Sequence, residues 1–242
     1  MSTKKILNYS PNFDSIKRKS SQIKFLIFHY TGMKKESDAI KRLTNIQSEV
    51  SSHYLIKKNG DIVVMVPDLY VAWHAGKSSW KSFKSLNKNS IGIEISNPGH
   101  EYNYINFSKK QILSVLYLSK SLIKKYKIQS SKVLGHSDVA PFRKKDPGEK
   151  FPWKTLSKKN LGVFYKNKNL KTVKVDIKKF RSLFFKNIHS VGYRYFSKNK
   201  SSKSDKKIIK AFQRRFLPSK VSGKIDQKTL DISHFLAKKF KN

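Results

Sequence analysis

The sequence predicts an α/β protein that carries a small helical domain at its C-terminal end. Short apolar runs suited to β-strands alternate with helical spacings over the first part of the chain. Beyond about Lys158 the strand patterns stop and only helical spacings continue. A length of 242 residues is enough for one medium domain and a small companion. We therefore expect two domains, residues 1–165 and 170–242.

The strand predictions start from an almost continuous apolar run at residues 23–28, which suits a strand buried on both faces. His29 follows directly at the C-terminal end of this run. A modest helix is expected over residues 37–43. Residues 52–56 and 62–66 lie on either side of an Asn-Gly turn, which is the strongest short-range signal for a β-hairpin.

The next elements alternate between strand and helix. Residues 90–95 predict a strand in which Glu94 points away from its two isoleucine neighbours. Ser108 caps a long amphipathic helix whose apolar residues recur at helical spacing. A short apolar stretch at residues 132–136 follows. A long loop rich in proline, glycine and charge then extends to Trp153.

Three helices are expected in the C-terminal part of the chain. Apolar residues recur at helical spacing over residues 180–188, 208–216 and 230–240. Gly223 suits a turn before the third helix, and Asp226 suits its N-cap.

The charge balance is strongly basic but contains little arginine. Lys and Arg total 53 against 15 Asp and Glu, which gives a formal net charge of +38, and only seven of the basic residues are Arg. Nucleic-acid recognition favours Arg over the point charge of Lys, so no nucleic-acid partner is expected. Attraction to an acidic or polyanionic matrix fits this composition better.

The sequence contains no cysteine, which excludes disulfides, thiolate nucleophiles and Cys-ligated metal sites. Any metal must therefore be held by histidines and carboxylates. No apolar run approaches the roughly 18 residues of a membrane span. Residues 1–25 are polar and basic and show no classical signal peptide.

Two of the seven histidines stand out by their context. His29 ends the first buried strand, and His136 ends another short apolar stretch. Asp146 follows His136 in a loop. Two histidines and one carboxylate leave a fourth position for water, which is the arrangement of a catalytic zinc site. Asp138 is an equally suitable ligand by residue type.

Several blocks of sequence together resemble a known family. They are Phe28-His29-Tyr30-Thr31, Ser51-Ser52-His53-Tyr54-Leu55-Ile56, Ala72-Trp73-His74-Ala75-Gly76, Ile91-Gly92-Ile93-Glu94, Gly135-His136-Ser137-Asp138-Val139-Ala140-Pro141 and Arg143-Lys144-Lys145-Asp146-Pro147-Gly148. Over roughly residues 20–155 the chain resembles the type-2 zinc-dependent N-acetylmuramoyl-L-alanine amidases. The resemblance implies a mixed β-sheet flanked by helices, with a zinc-bearing groove on one face. It also implies hydrolysis of the amide between N-acetylmuramic acid, or its anhydro form, and L-alanine in peptidoglycan or muropeptides.

The same resemblance implies a role for each matching residue. His29, His136 and Asp146 would be the ligands of Zn²⁺. Glu94 would be the catalytic carboxylate, which takes a proton from the attacking water and passes it to the leaving amine. Lys144, two positions before the third ligand, would donate to the developing oxyanion.

Other residues in these blocks receive weaker assignments. The family pattern favours Asp146 over Asp138 as the third ligand, and Asp138 would then support the loop that carries His136. Trp73, His74 and Asn97 are expected to contact the substrate. His53 is expected to be a buried structural histidine.

The C-terminal segment resembles a three-helix peptidoglycan-binding module at residues 211–218 and 223–230. A generic helical bundle is the alternative there. A wall-binding module favours the bacterial periplasm as the location, while the missing signal peptide leaves the cytoplasm open.

Two other functions compete with a zinc amidase. A non-catalytic peptidoglycan-recognition protein on the same fold would typically lack a zinc ligand, and all three candidates are present here. A basic nucleic-acid-binding protein would give no reason for the two histidines and the aspartate.

Overall fold

A computed structural model describes residues 4–198 and 200–240. The outer limits of the two predicted domains, residues 1 and 242, lie outside this range. Ten strands are described: β1 Lys5–Leu7, β2 Phe13–Asp14, β3 Phe25–Tyr30, β4 Tyr54–Ile56, β5 Ile62–Val64, β6 Val71–Ala72, β7 Ser79–Trp80, β8 Phe83–Lys84, β9 Ser90–Ile95 and β10 Val133–Gly135. The helices are α1 Glu36–Thr44, α2 Lys109–Tyr126, α3 His136–Val139, α4 Trp153–Ser157, α5 Phe180–Val191, α6 Asp205–Phe216 and α7 Gln227–Lys239.

Six of the strands form one mixed sheet in the order β1-β5-β4-β9-β3-β10. Strands β4 and β5 are antiparallel, as the predicted hairpin requires, and the other neighbouring pairs are parallel. Two short pairs, β2 with β6 and β7 with β8, lie outside this sheet. The expected α/β fold with a mixed sheet flanked by helices is confirmed.

Strand β3 is apolar from Phe25 to Phe28 because both faces of the sheet are covered there. Leu26 and Phe28 lie in one hydrophobic cluster with the apolar side of α2. Phe25 and Ile27, on the opposite face, lie in a second cluster. Side chains along a strand alternate between faces, so His29 points to the same side as Phe25 and Ile27.

The local signals act as their chemistry predicts. Ser108 caps α2 and accepts a hydrogen bond from the backbone of Gln111, whose side chain accepts one from the Ser108 backbone in return. Gly60 in the hairpin turn has a φ of +93°, a conformation that favours glycine. Asp226 caps α7 by accepting from the backbone of Thr229.

The three predicted C-terminal helices are present as α5, α6 and α7. Their apolar residues do not form a separate core. Phe184, Ile188 and Phe212 belong to the same buried cluster as Phe25 and Ile27 of the sheet. The division into two domains stays a prediction, but residues on both sides of the predicted boundary share one core.

No helix among residues 4–198 and 200–240 combines the length and the apolar character needed to cross a bilayer.

Candidate metal centre

The site is built where neighbouring parallel strands end. His29 of β3 and Glu94 of β9 are register partners, so their side chains emerge side by side on one face of the sheet. Strand β10 pairs with β3 on the other side, with Gly135 opposite Phe28. His136 follows directly and lies level with His29. The carboxyl ends of β10, β3 and β9 thus present three functional groups along one edge.

Three ligand atoms converge at this edge. His29 Nδ1 lies 2.9 Å from His136 Nδ1 and 3.1 Å from Asp146 Oδ2. His136 Nδ1 lies 3.0 Å from the same Asp146 oxygen. All three residues are buried, and they form the single cluster of its kind found in the described part of the chain that could hold a metal ion. Tetrahedral zinc with bonds of 2.0–2.1 Å spaces its ligands about 3.3 Å apart, so the donor set and spacing fit zinc.

The loop that carries Asp146 is tied to the turn that carries His136. The amide of Ser137 donates a 2.8 Å hydrogen bond to the carbonyl of Asp146. Gly135 leaves room for this approach, because a Cβ at that position would lie 2.7 Å from the ring of Pro147. The glycine before the histidine is therefore a packing requirement of the site.

The protonation states suit metal binding. Burial is the main cause that lowers the pKa of His29 to about 4, and the neighbouring His136 is the second. The imidazole is therefore neutral at neutral pH. Burial alone would raise the pKa of Asp146, but the charge and hydrogen bonds of His136 and His29 outweigh it and hold the pKa below its usual range. A neutral imidazole and an ionised carboxylate are the forms that bind a metal.

Each candidate ligand imidazole has a partner for its other nitrogen. Nε2 of His29 lies 3.0 Å from Nδ1 of His74, and Nε2 of His74 lies 3.1 Å from the hydroxyl of Ser90. Nε2 of His136 lies 3.2 Å from the carbonyl of Ala75. If Nδ1 of His29 and of His136 binds a metal, Nε2 of each ring carries the proton. His74 and the carbonyl of Ala75 then accept hydrogen bonds from these two N–H groups. Such partners orient metal-binding histidines and fix their tautomer.

His74 reaches His29 because the strand beneath it carries no side chain. A Cβ at Gly92 of β9 would lie 2.4 Å from Cγ of His74. His53, fully buried as predicted, accepts a hydrogen bond from the Gly92 amide through Nδ1. The imidazole of His74 therefore packs over the glycine, two residues before Glu94 on the same face, and His53 fixes the backbone there.

Glu94 is the acidic group of β9 that faces the candidate ligands. Its Oε2 atom is buried and has no hydrogen-bond partner. Burial, followed by the charge of Asp146, raises the pKa of Glu94 to about 8, and the charge of Lys144 opposes this rise. An unpartnered carboxyl with a pKa near neutrality can both accept and release a proton at physiological pH.

A groove of about 640 Å³ opens above this cluster, and the candidate ligands, Glu94 and Lys144 lie along it. Basic side chains outnumber acidic ones around it: Lys34, Arg42, Arg143, Lys144 and Lys145 line the groove, beside the acidic Asp38 and Glu101. Trp73 also lines the groove, and its indole N–H donates to Asp14 at 2.7 Å.

Comparison with known protein families matches residues 19–149, more than half of the chain, to the N-acetylmuramoyl-L-alanine amidases. The chain belongs to this family. It is an N-acetylmuramoyl-L-alanine amidase, and the family is in general zinc-dependent.

Several relatives resemble the amidase over most of its length. The amidase AmiD of Escherichia coli is 33% identical over 240 residues, covering 90% of this chain and 84% of AmiD. A solved structure of AmiD in complex with the substrate anhydro-N-acetylmuramic acid-L-Ala-D-γ-Glu-L-Lys superposes with a TM-score of 0.80 at 30% identity, over 93% of this chain and 91% of that one. AmpDh3 of Pseudomonas aeruginosa also gives a TM-score of 0.80, at 26% identity, over 96% of this chain and 98% of that one.

A shorter relative matches only the first part of the amidase. The 1,6-anhydro-N-acetylmuramyl-L-alanine amidase AmpD of Citrobacter freundii is 36% identical over 104 residues, which is 43% of this chain and 54% of AmpD.

The three residues predicted to contact the substrate lie in different surroundings. Trp73 lies in the groove, as expected for such a role. His74 borders the groove, but both of its ring nitrogens bond to other side chains of the protein. Asn97 is 1% exposed and is not part of the groove lining. Its amide group donates to the carbonyl of Ile105 and accepts from the amide of Gly99. Asn97 therefore shapes a loop beside the site.

Asp138, the alternative ligand, points away from the cluster. Its carboxylate accepts hydrogen bonds from the amide of Gly135, the hydroxyl of Tyr193 and the guanidinium of Arg215. The partnership of Asp138 with residues of the C-terminal helices, like that of His29 with His74, has no signature in local sequence. Only the occurrence of His74 in a family block hinted at a role for that residue.

The contact between His74 and His29 is tested by His74→Phe, which keeps an aromatic ring and removes both nitrogens. The His29 Nε2 proton then loses its acceptor, so we expect the affinity for zinc to fall by about 10- to 100-fold. Competition with a chelator of known affinity measures this. The control His189→Phe, on α5, should bind zinc as the unaltered protein does. Unchanged affinity in folded His74→Phe would show that His29 is oriented without this contact.

Proposed function

We propose that His29, His136 and Asp146 hold a catalytic Zn²⁺ ion and that the groove hydrolyses the lactyl–L-alanine amide of muropeptides. The observation that carries the proposal is the convergence of two imidazoles and one carboxylate within 3.1 Å of one another at the floor of the groove. Three protein ligands leave the fourth zinc position open, as catalytic sites require. A bound zinc ion supplies a lowered pKa, near 7, for a coordinated water and polarises the carbonyl oxygen of the amide.

Glu94 is proposed as the group that moves the proton. It lies beside His29 on the next strand, and its buried Oε2 has no partner within the protein. Burial raises the pKa of this carboxyl to about 8, so its ionised form is a stronger base than a solvated glutamate and can take a proton from the attacking water and return it to the leaving amine of L-alanine. A structural carboxylate would be expected to have a hydrogen-bond partner at this depth.

Lys144 is proposed to stabilise negative charge on the amide oxygen. Its backbone N–H donates to the carbonyl of Ala140, which fixes the main chain at this position, and the residue lines the groove. Its charge is close enough to lower the pKa values of both His29 and Glu94. A side-chain donor that reaches the developing oxyanion contributes about 3 kcal/mol to stabilisation of the transition state.

The excess of basic side chains around the groove supports a substrate that carries free carboxylates. The AmiD ligand contains a γ-linked glutamate, whose α-carboxylate is free, and AmpDh3 has been solved with an anhydromuramic pentapeptide. We propose the same class, anhydro-muropeptides, for this amidase. Arg42, Lys34 and Lys145 would attract the carboxylates of the stem peptide.

The alternative of a non-catalytic recognition protein is not favoured. Such a protein has no need for a complete ligand set beside an unpartnered carboxyl group, and both are present here.

Residues 170–242 are proposed to bind the cell wall. The proposed location of the protein is the cell envelope, in particular the periplasm. The support is the substrate class together with the match to AmiD and AmpDh3, which covers more than nine tenths of this chain and so includes these helices. The cytoplasm is the competing location, and fractionation of cells that express the protein decides between the two.

Removal of any one ligand tests the metal site. His29→Ala, His136→Ala and Asp146→Ala should each lose most bound zinc and all measurable hydrolysis, since two remaining ligands hold zinc weakly. Elemental analysis after dialysis measures the zinc content, and His234→Ala, on α7, is the matched control. Undiminished zinc in all three folded variants would reject this ligand set.

Glu94→Gln separates proton transfer from metal binding. The amide keeps the shape of the side chain but cannot accept the proton, so turnover should fall by roughly 10²- to 10⁴-fold while zinc content is unchanged. The control Glu36→Gln alters a carboxylate outside the groove and should keep full activity. Near-normal turnover of Glu94→Gln at full zinc occupancy would mean that another group is the base.

The products identify the bond that is cut. Incubation of the zinc-loaded protein with an anhydro-N-acetylmuramyl tripeptide should release the free anhydro sugar and a peptide with L-alanine at its amino terminus. Mass analysis of both fragments measures this. Cleavage inside the peptide would contradict the proposed reaction.

A further inference from the structure

The turn that carries His136 is braced from its outer side by the C-terminal helices. In a helix, residues two positions apart point about 200° apart around the axis. His136 and Asp138 both lie in α3, and they face in opposite directions: His136 toward His29, Asp138 toward the C-terminal region. Asp138 is 1% exposed, so its contacts are made entirely within the protein.

Two side chains from the C-terminal region meet this carboxylate. The hydroxyl of Tyr193, just after α5, donates to Asp138 Oδ1 at 2.5 Å. The guanidinium of Arg215, in α6, donates to Oδ2. The Gly135 amide also donates to Oδ2, at 2.8 Å, so all three contacts hold the segment that leads into His136.

Arg215 hydrogen-bonds to strand β10 as well as to Asp138 in the turn that follows it. Its Nη2 donates to the carbonyl of Val133 at 3.1 Å, so one side chain bridges the start of β10 and the turn that follows it. The guanidinium lies 4.1 Å from the ring centroid of Trp153, and the side chain is 3% exposed. A fork with several donors at fixed angles suits such a bridge better than the single ammonium of lysine.

Tyr193 is held equally firmly. It is fully buried, and its ring packs edge-on against Trp80 at 4.9 Å. The adjacent Gly192 has no room for a Cβ, which would lie 2.3 Å from Trp80, and its carbonyl accepts from the amide of Lys81. The hydroxyl is therefore presented to Asp138 from a rigid support.

We propose that Tyr193 and Arg215 are positioning residues for His136, which act through the carboxylate of Asp138. The C-terminal helices are on this view part of the metal centre, whether or not they also bind the cell wall. The inference rests on the proposed zinc site. Loss of the brace lets α3 shift, and the geometry of a metal site depends on such outer contacts, whose loss typically costs 10- to 100-fold in affinity.

Tyr193→Phe and Arg215→Lys test this in the full-length protein. Tyr193→Phe removes one hydroxyl and keeps the ring. Arg215→Lys keeps the charge and loses the second donor that reaches Val133. Zinc affinity, measured by chelator competition at a temperature where circular dichroism shows a folded protein, should fall about 10-fold in each. The matched controls are Tyr195→Phe and Arg181→Lys. In the unaltered protein Tyr195 packs on Phe142 and Arg181 donates to Asp205, so neither residue contacts Asp138. These controls should keep the affinity of the unaltered protein.

A double-mutant cycle shows whether the effect passes through Asp138. In an Asp138→Ala background, which removes both acceptor oxygens, Tyr193→Phe should change zinc affinity by less than 2-fold. An additional 10-fold loss there would overturn the proposed route, and so would equal losses in the controls or unchanged affinity in both test variants. A shortage of zinc in the unaltered protein would instead reject the zinc site itself.

Hydrogen exchange on the unaltered protein supplies a test that needs no variant. Coupling is reciprocal, so zinc should slow exchange at residues 191–196 and 213–217 more than in α7. If the variants fail to fold, this measurement decides alone: equal slowing of exchange in both segments and in α7, or no slowing in the two segments, would overturn the proposal.

Discussion

The structure depends on the shared edge at which three parallel strands end. Strands β10, β3 and β9 lie side by side, and their register brings His136, His29 and Glu94 to one line. Parallel strands require long connections, and here these connections carry many of the groove residues, while Asp146 lies in the loop that follows β10, the last strand in the chain. Apolar clusters cover both faces of the sheet, so the polar groups where the strands end are buried.

Burying such groups has a consequence for every residue around them. A polar atom without a partner is costly in a water-poor interior, so nearly all atoms at the site are paired. His29 is paired through His74 and Ser90, and His136 through the carbonyl of Ala75. Glu94 is the exception, with one buried oxygen that has no partner, and it is the group whose chemistry requires a proton to come and go.

The C-terminal helices are joined to the catalytic part by apolar and polar contacts. Phe184 and Phe212 share a core with the sheet, while Arg215 and Tyr193 converge on Asp138. A tethered module that only raised the local concentration of enzyme at the wall would not need buried contacts of this kind. The high positive charge is a separate property, because it resides mostly in lysines and can attract acidic material without any defined contact.

Local patterns in the sequence were sufficient for β3, β9, the hairpin of β4 and β5, α2 and the three C-terminal helices, because periodicity and capping act over a few residues. They did not indicate the short strands β1, β2, β6, β7 and β8. The family blocks also named the candidate ligands and Glu94. The family pattern had already favoured Asp146 over Asp138. Only the tertiary structure showed that Asp138 is held by Tyr193 and Arg215, that His74 pairs with His29, and that Asn97 lies inside a loop. Each of these outcomes depends on partners far apart in the chain, 45 residues for His29 with His74 and 77 for Asp138 with Arg215. Contacts at such separations are created by packing, and no local spacing encodes them.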